Sequence, residues 1–173
     1  MCKDKGIIFS VFSLAEAYLL QYATPMENYY ILRLGKELRR NLKLFRDGLY
    51  KQYGEPSLLT LEACIILGPV DKQDTLPFVD CPPLPLTTLD TTSYKNGHLH
   101  LPIPGTPFAQ IRKQLGTDYP YDGVYLGEIE TTLSVDPIII KDLSLAMLSI
   151  QREGALITWN VSLEKHLDSG RHH

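Results

Sequence analysis

Cysteine is scarce in this 173-residue sequence, and a basic excess and long apolar runs are missing from it. No stretch reaches the ~18 apolar residues that a membrane-spanning helix requires, so no membrane partner is expected. Lys and Arg total 17 against 20 Asp and Glu, a formal net charge of -3. That is the wrong balance for a nucleic-acid binder that relies on overall basicity, although a local basic patch stays open. Three cysteines, Cys2, Cys64 and Cys81, are odd in number and irregular in spacing, with no Cys-x-x-Cys pair. A disulfide framework and a cysteine zinc site are therefore excluded, and the chain reads as a protein of a reducing, cytoplasmic setting. No cofactor and no metal is expected. Histidine is scarce as well: of the five, His172 and His173 close the chain as SGRHH, which reads as a tag remnant over 169–173. His98, His100 and His166 are left for chemistry.

The first residues, MCKDKGIIFSVFSLAEA, admit two readings. Two lysines, a short apolar run and Ala15-x-Ala17 loosely resemble a secretion signal, but Asp4 and Glu16 stand where such a signal has no acids. The same letters start a helix. Ser13-x-x-Glu16 is a capping box, followed by apolar Leu14, Ala17, Tyr18 and Leu20. Residues 1–25 are expected as an N-terminal helical extension, with its helix over 14–22.

What is present is an ordinary globular composition, 44% hydrophobic and 21% charged, on a chain long enough to bury a core. Residues 29–34, YYILRL, read as a strand broken by Gly35. A helix follows from Glu37, with Leu38, Leu42, Phe45, Leu49 and Tyr53 on one stripe. Arg39, Arg40, Lys43 and Arg46 take the remainder, either as a solvated face or as an anion-binding surface. Gly54 and Pro56 stop the helix. A strand is expected at about 58–67, then a proline-rich connector over 71–85. A hairpin over 86–103 turns at Asn96-Gly97. Thr106 and Pro107 open a second helix, with Phe108, Ile111 and Leu115 buried and Gly116 as its stop. GVYLGEI is the next strand, read as parallel to HLHLPI. LSLAMLSI and ALITWNV close the chain.

Two strand-helix-strand units emerge, and they match. Leu34-Gly35 precedes the first helix and Pro104-Gly105 the second. The returning strands CIILGPV and GVYLGEI both end in Leu-Gly, at Leu67-Gly68 and Leu126-Gly127. Matched glycines at matched spacing read as an internal duplication. The expected architecture is α+β: two pseudo-symmetric β-α-β lobes, with mainly antiparallel sheets, around a central cleft. They form a single bilobal domain over 26–168.

Taken in order, YYILRLGKELRRNLKLFRDGLYKQYG, LTLEACIILGPV, HLHLPIPGTPFAQIRKQLG, YPYDGVYLGEI and LSLAMLSIQREGALITWNV resemble the 2H phosphoesterase superfamily, the 2′-5′ RNA ligase-like and cyclic phosphodiesterase-like proteins. The resemblance covers about residues 27–167. It implies two H-x-T/S-x motifs lining the cleft. One imidazole takes a proton, the other protonates the leaving oxygen, and the hydroxyls donate to phosphate. On this sequence the first motif falls on Cys64 and Ile66, and the second on Gly123 and Tyr125. A thiol is a poor acid-base partner and glycine is none. Both motifs are thus absent. The resemblance implies a catalytically silent, degenerate member whose cleft-lining positions Cys64, Ile66, Gly123 and Tyr125 would meet a nucleotide-like or apolar ligand, a small RNA, or a protein partner.

Other residues could restore activity. His98-Leu-His100 places two imidazoles on one strand face. They read as a solvent-facing pair or as the shifted site of a divergent phosphodiesterase; a metal pair lacks a third ligand. Cys64 as a nucleophile lacks a neighbouring histidine and reads as a buried structural thiol. Tyr119 and Tyr121 could stack a base or simply pack on the sheet. Trp159 and Phe108 read as core. Glu128 and Glu130 share a strand face, either as a carboxylate pair or as an exposed strand end.

Overall fold

The structure, a computed structural model, describes residues 26–80, 85–154 and 156–167. The expected helix at 14–22, Cys2, Cys81 and the tag remnant lie outside the described residues. β1 (Glu27–Arg33) leads into α1 (Lys36–Tyr53), the short α2 (Ser57–Thr60) and β2 (Cys64–Pro69). β3 (Leu86–Thr87), β4 (Ser93–Lys95) and β5 (His98–Pro102) follow, then α3 (Ala109–Leu115), β6 (Gly123–Gly127), β7 (Ile139–Ile140), β8 (Ser144–Glu153) and β9 (Leu156–His166). The fold is α+β, and every strand pairing in it is antiparallel.

Helix and turn signals act where they stand in the sequence. α1 and α3 both end on a left-handed glycine, Gly54 and Gly116, the conformation that lets a cap amide reach back to the last turn. Asn96 and Gly97 both take positive φ between β4 and β5, as a two-residue hairpin turn demands. Other expectations need correction. Residues 57–60 form a helical turn rather than the start of a strand. The 86–103 hairpin shortens to β4 and β5, because Leu86 and Thr87 leave it to pair with Ile140 and Ile139. α3 begins at Ala109 with Phe108 as its cap. β6 runs antiparallel to β5, with Leu101 opposite Val124.

A seven-stranded sheet has the order β4-β5-β6-β2-β1-β8-β9. Its middle reads as a palindrome. The returning strands β6 and β2 lie side by side, flanked by the first strands of their own units, β5 and β1. Cys64 pairs with Tyr125 and Ile65 with Val124.

Alternation splits the core between the two faces. Ile65, Leu67, Leu101, Val124 and Leu126 pack with Leu42 and Leu49 of α1 and with Phe108 and Ile111 at α3. Ile31, Cys64, Ile66, Tyr125, Ala146 and Leu148 form a second cluster on the opposite face. Gly68 has φ of 139°, and a Cβ there would stand 2.5 Å from the Asp118 carbonyl oxygen. Only glycine meets both conditions.

Two buried arginines join the units crosswise. Arg46 of α1 donates from Nε to the carbonyl of Leu126 on β6 at 2.7 Å, and from Nη2 to Ser57 at 2.9 Å. Arg112 of α3 donates from Nε to Leu67 of β2 at 3.2 Å, and from Nη2 to Ile66 at 3.0 Å. Each helix therefore holds the Leu-Gly strand end of the other unit. Arg46 does not belong to the solvated face expected for it. It is 4% exposed, sits one turn from Leu42, and burial lowers its pKa.

Candidate functional site

The sheet face opposite α1 and α3 carries a pocket of about 190 Å³. Its aliphatic lining is Leu61, Ile66 of β2, and Leu148 and Ile150 of β8. Its ring lining is Tyr29 of β1, His98 of β5, Tyr119 of the loop before β6, and Tyr125 of β6. Glu27 and Arg152 are the charged lining groups. The strands bring Ile66 and Tyr125 together here. They do not expose Cys64. That thiol is wholly buried, and desolvation pushes its pKa up to about 12. Gly123 brings no side chain to the pocket, and its neighbour Tyr121 occupies the space in front of it. A Cβ on Gly123 would lie 2.7 Å from Tyr121 Cε1.

His98 and His100 are not a solvent-facing pair. β5 is the neighbour of β6, so its even-numbered side chains fall beside Tyr125 on the cleft face. His100 is 1% exposed. The Tyr119 hydroxyl lies 2.9 Å from His98 Nδ1 and 3.2 Å from His100 Nε2. One hydroxyl proton serves one imidazole, so the other imidazole donates to the phenol oxygen. His98 Nε2 lies 3.9 Å from Glu128 Oε1. Glu128 also accepts from both Nη atoms of Arg152, at 2.5 and 3.3 Å, so it is tied to Arg152 rather than to Glu130. Burial lowers both imidazole pKa values, that of His100 to about 3 with a further push from His98. Neither is a cation at neutral pH. Burial also raises the Tyr119 and Tyr125 phenols, which stay protonated.

The Tyr125 hydroxyl, the Tyr121 hydroxyl and His100 Nδ1 are buried with no hydrogen-bond partner among the described residues. Tyr125 is the one of the three that lines the pocket. Its ring stands edge-on to His98, with centroids 5.3 Å apart. Tyr121 stacks beside His100, with centroids 4.1 Å apart. Trp159 donates from Nε1 to the Thr60 carbonyl and flanks this cluster. Phe108 is buried on the helix side.

Three residues that line or brace the pocket strands were missed in the sequence. Arg152 stands beside a hairpin turn, where a charge looks solvated, and no signal marks it as a cleft residue. Arg112 directly follows buried Ile111 and lies four residues after Phe108, a placement that marks its helix face as buried. Leu61 follows a helical turn read as strand. Among the helix α1 cations, Arg39 pairs with Glu62 at 3.4 Å and Lys43 with Asp47 at 2.9 Å. Among the described residues, no group of three or more His, Cys, Asp or Glu could hold a metal ion, and no helix is long and apolar enough to cross a membrane.

No known family profile matches the chain, and no curated protein matches it. Among solved structures, the chain is similar to E. coli LigT in its apo form. The TM-score is 0.50 at 11% sequence identity, over 83% of this chain and 98% of that one. The α+β, mainly antiparallel fold of this chain is therefore LigT-like.

Proposed function

We propose that the chain is a 2H phosphoesterase-like module whose cleft has lost catalysis and serves as a binding site, for a nucleotide-like or apolar ligand or for a protein partner. The fold shared with E. coli LigT supports the frame. The reading is carried by the residues at the positions where the resemblance puts the two motifs: Cys64, Ile66, Gly123 and Tyr125 stand on the two paired strands β2 and β6, with no imidazole and no small hydroxyl among them. A buried thiol with a pKa of about 12 does not exchange protons at neutral pH. The apolar pocket over Ile66 gives the cleft a use that needs no acid or base. A small ring ligand suits it better than a protein surface, since 190 Å³ admits one side chain or one small molecule. Assay of the pure protein on 2′,3′-cyclic and 2′-5′-linked nucleotides tests the reading; turnover equal to buffer is expected.

A second reading has its own support. His98 lines the cleft between Glu128 and the Tyr119 hydroxyl, the surroundings of a general base in a divergent phosphodiesterase. His100 weakens it. An imidazole with a pKa near 3 is no proton donor at pH 7, and the two-imidazole reaction then lacks its acid. A His98→Ala/His100→Ala variant separates the readings, because only an enzyme loses turnover.

A further inference from the structure

We infer that the chain covers its own cleft: the apolar segment over residues 14–22 lies across the pocket above Ile66 and Leu148, seats one side chain in it, and must leave before a ligand enters. This rests on reading that pocket as a binding site, and adds what controls access to it. The segment belongs to residues 1–25, which lie outside the described residues and join β1 through Met26. The pocket offers what such a segment needs. Leu61, Ile66, Leu148 and Ile150 are its aliphatic walls, on the sheet face opposite α1 and α3. Its volume of about 190 Å³ is somewhat above the ~150 Å³ cavity that takes up benzene, so one ring or one branched side chain fills it.

The segment in turn needs an apolar partner. Glu16 is the one charged side chain between Lys5 and Glu27. Leu14, Ala17 and Tyr18 recur at helical spacing behind the Ser13-x-x-Glu16 capping box, an apolar stripe along one side of the expected helix. A helix this short holds together in water only when such a stripe is packed against something.

Position brings the two together. Glu27 and Tyr29, at the start of β1, both line the pocket. Tyr22 is five residues from Glu27, at most about 18 Å of fully extended chain. The stripe is therefore tethered to the pocket rim, at an effective concentration on the order of millimolar. The groove along α1, lined by Leu38, Leu42, Phe45 and Ile138, is wider, but its residues follow the far end of β1. That end lies roughly 20 Å from Glu27 along the strand. Charge agrees with the nearer site. Arg152 is the cation of the lining, and its guanidinium has more N–H donors than the pair it gives Glu128. The segment's single charge, Glu16, is an acid that can accept one of them.

Paramagnetic NMR of the full chain tests the contact. In a Cys2→Ser/Cys81→Ser/Leu19→Cys variant a nitroxide goes to position 19, off the stripe, while Cys64 stays buried and unlabelled. The methyl signals of Ile66, Leu148 and Ile150 should broaden, and those of Leu42 and Ile111 on the helix side should keep most of their intensity. Cleft methyls as sharp as the helix-side methyls overturn the inference and leave the binding site standing. Broadening that falls away when the labelled chain is diluted with unlabelled chain also overturns it, since a second copy is then the occupant. Toluene is the probe of access. Leu14→Ser/Tyr18→Ser should bind it about tenfold more tightly than the parent, because the fraction of uncovered sites rises; Leu19→Ser should not. Equal toluene affinity in the parent and the double variant overturns the control of access. Toluene bound by neither overturns the binding site itself, and the control of access with it.

Discussion

Gly123 lies against the neighbouring strand so closely that a Cβ on it would stand 2.8 Å from the carbonyl oxygen of Leu101. The contact is with backbone, which cannot swing aside as a side chain can. Gly123→Ala should destabilise the protein by about 1–3 kcal/mol through overpacking, and Gly123→His by more. Denaturant unfolding checks both. Neither Gly123→His nor its combination with Cys64→His should gain phosphodiesterase activity.

Cys64 should behave as an inert thiol. It is fully buried, and its pKa is pushed up to about 12 by desolvation, so almost no thiolate exists at pH 8. A Cys2→Ser/Cys81→Ser variant leaves Cys64 as the sole cysteine. Under native conditions it should not react with an aromatic disulfide reagent over an hour, and in denaturant it should react at once. Fast native labelling would contradict the burial.

The crossed arginines should matter more than the exposed cations of the same helix. Arg46→Ala removes charged donors from the carbonyls of Leu126 and Ser57, and Arg112→Ala does the same at Leu67 and Ile66. Each should cost about 2–4 kcal/mol. Arg46→Lys should recover little, because an ammonium cannot reproduce the planar fork that spans two acceptors. Lys43→Ala, which removes an exposed pair with Asp47, should cost less than about 0.5 kcal/mol.

Stability should fall in mild acid. The His100 pKa is near 3 in the folded chain against an ordinary 6.5, so the unfolded chain binds more protons between those values. Its contribution is complete above pH 6.5 and is lost as pH falls toward 3, at up to about 1.4 kcal/mol per pH unit. His98 is shifted in the same direction. Urea unfolding at pH 7 and pH 5 should show the loss, and His100→Phe should flatten it.

The periodicity of Leu42, Leu49 and Ile111, the two glycine-capped helices and the Asn96-Gly97 turn were all legible, because each is a local signal. The repeated Leu-Gly strand ends also marked the two returning strands as equivalent, though not as neighbours. Strand direction was not legible: nothing within HLHLPI or GVYLGEI records how the two lie together. The environment of His98 and His100 was missed for a related reason. Alternation shows that two side chains share a face, while burial of that face depends on Tyr119 and Tyr121, brought in from twenty residues away. Arg46 looked solvated because charge on a helix usually is. Its acceptors belong to the other unit, 80 residues on in the case of Leu126.

Phosphorus NMR of purified protein incubated with a 2′,3′-cyclic nucleotide tests the loss of catalysis most directly. The account predicts an unchanged cyclic phosphate signal over many hours, identical in buffer, in the parent protein, in Cys64→Ala and in His98→Ala/His100→Ala. A monophosphate signal that grows with the parent protein and disappears with either variant would contradict it.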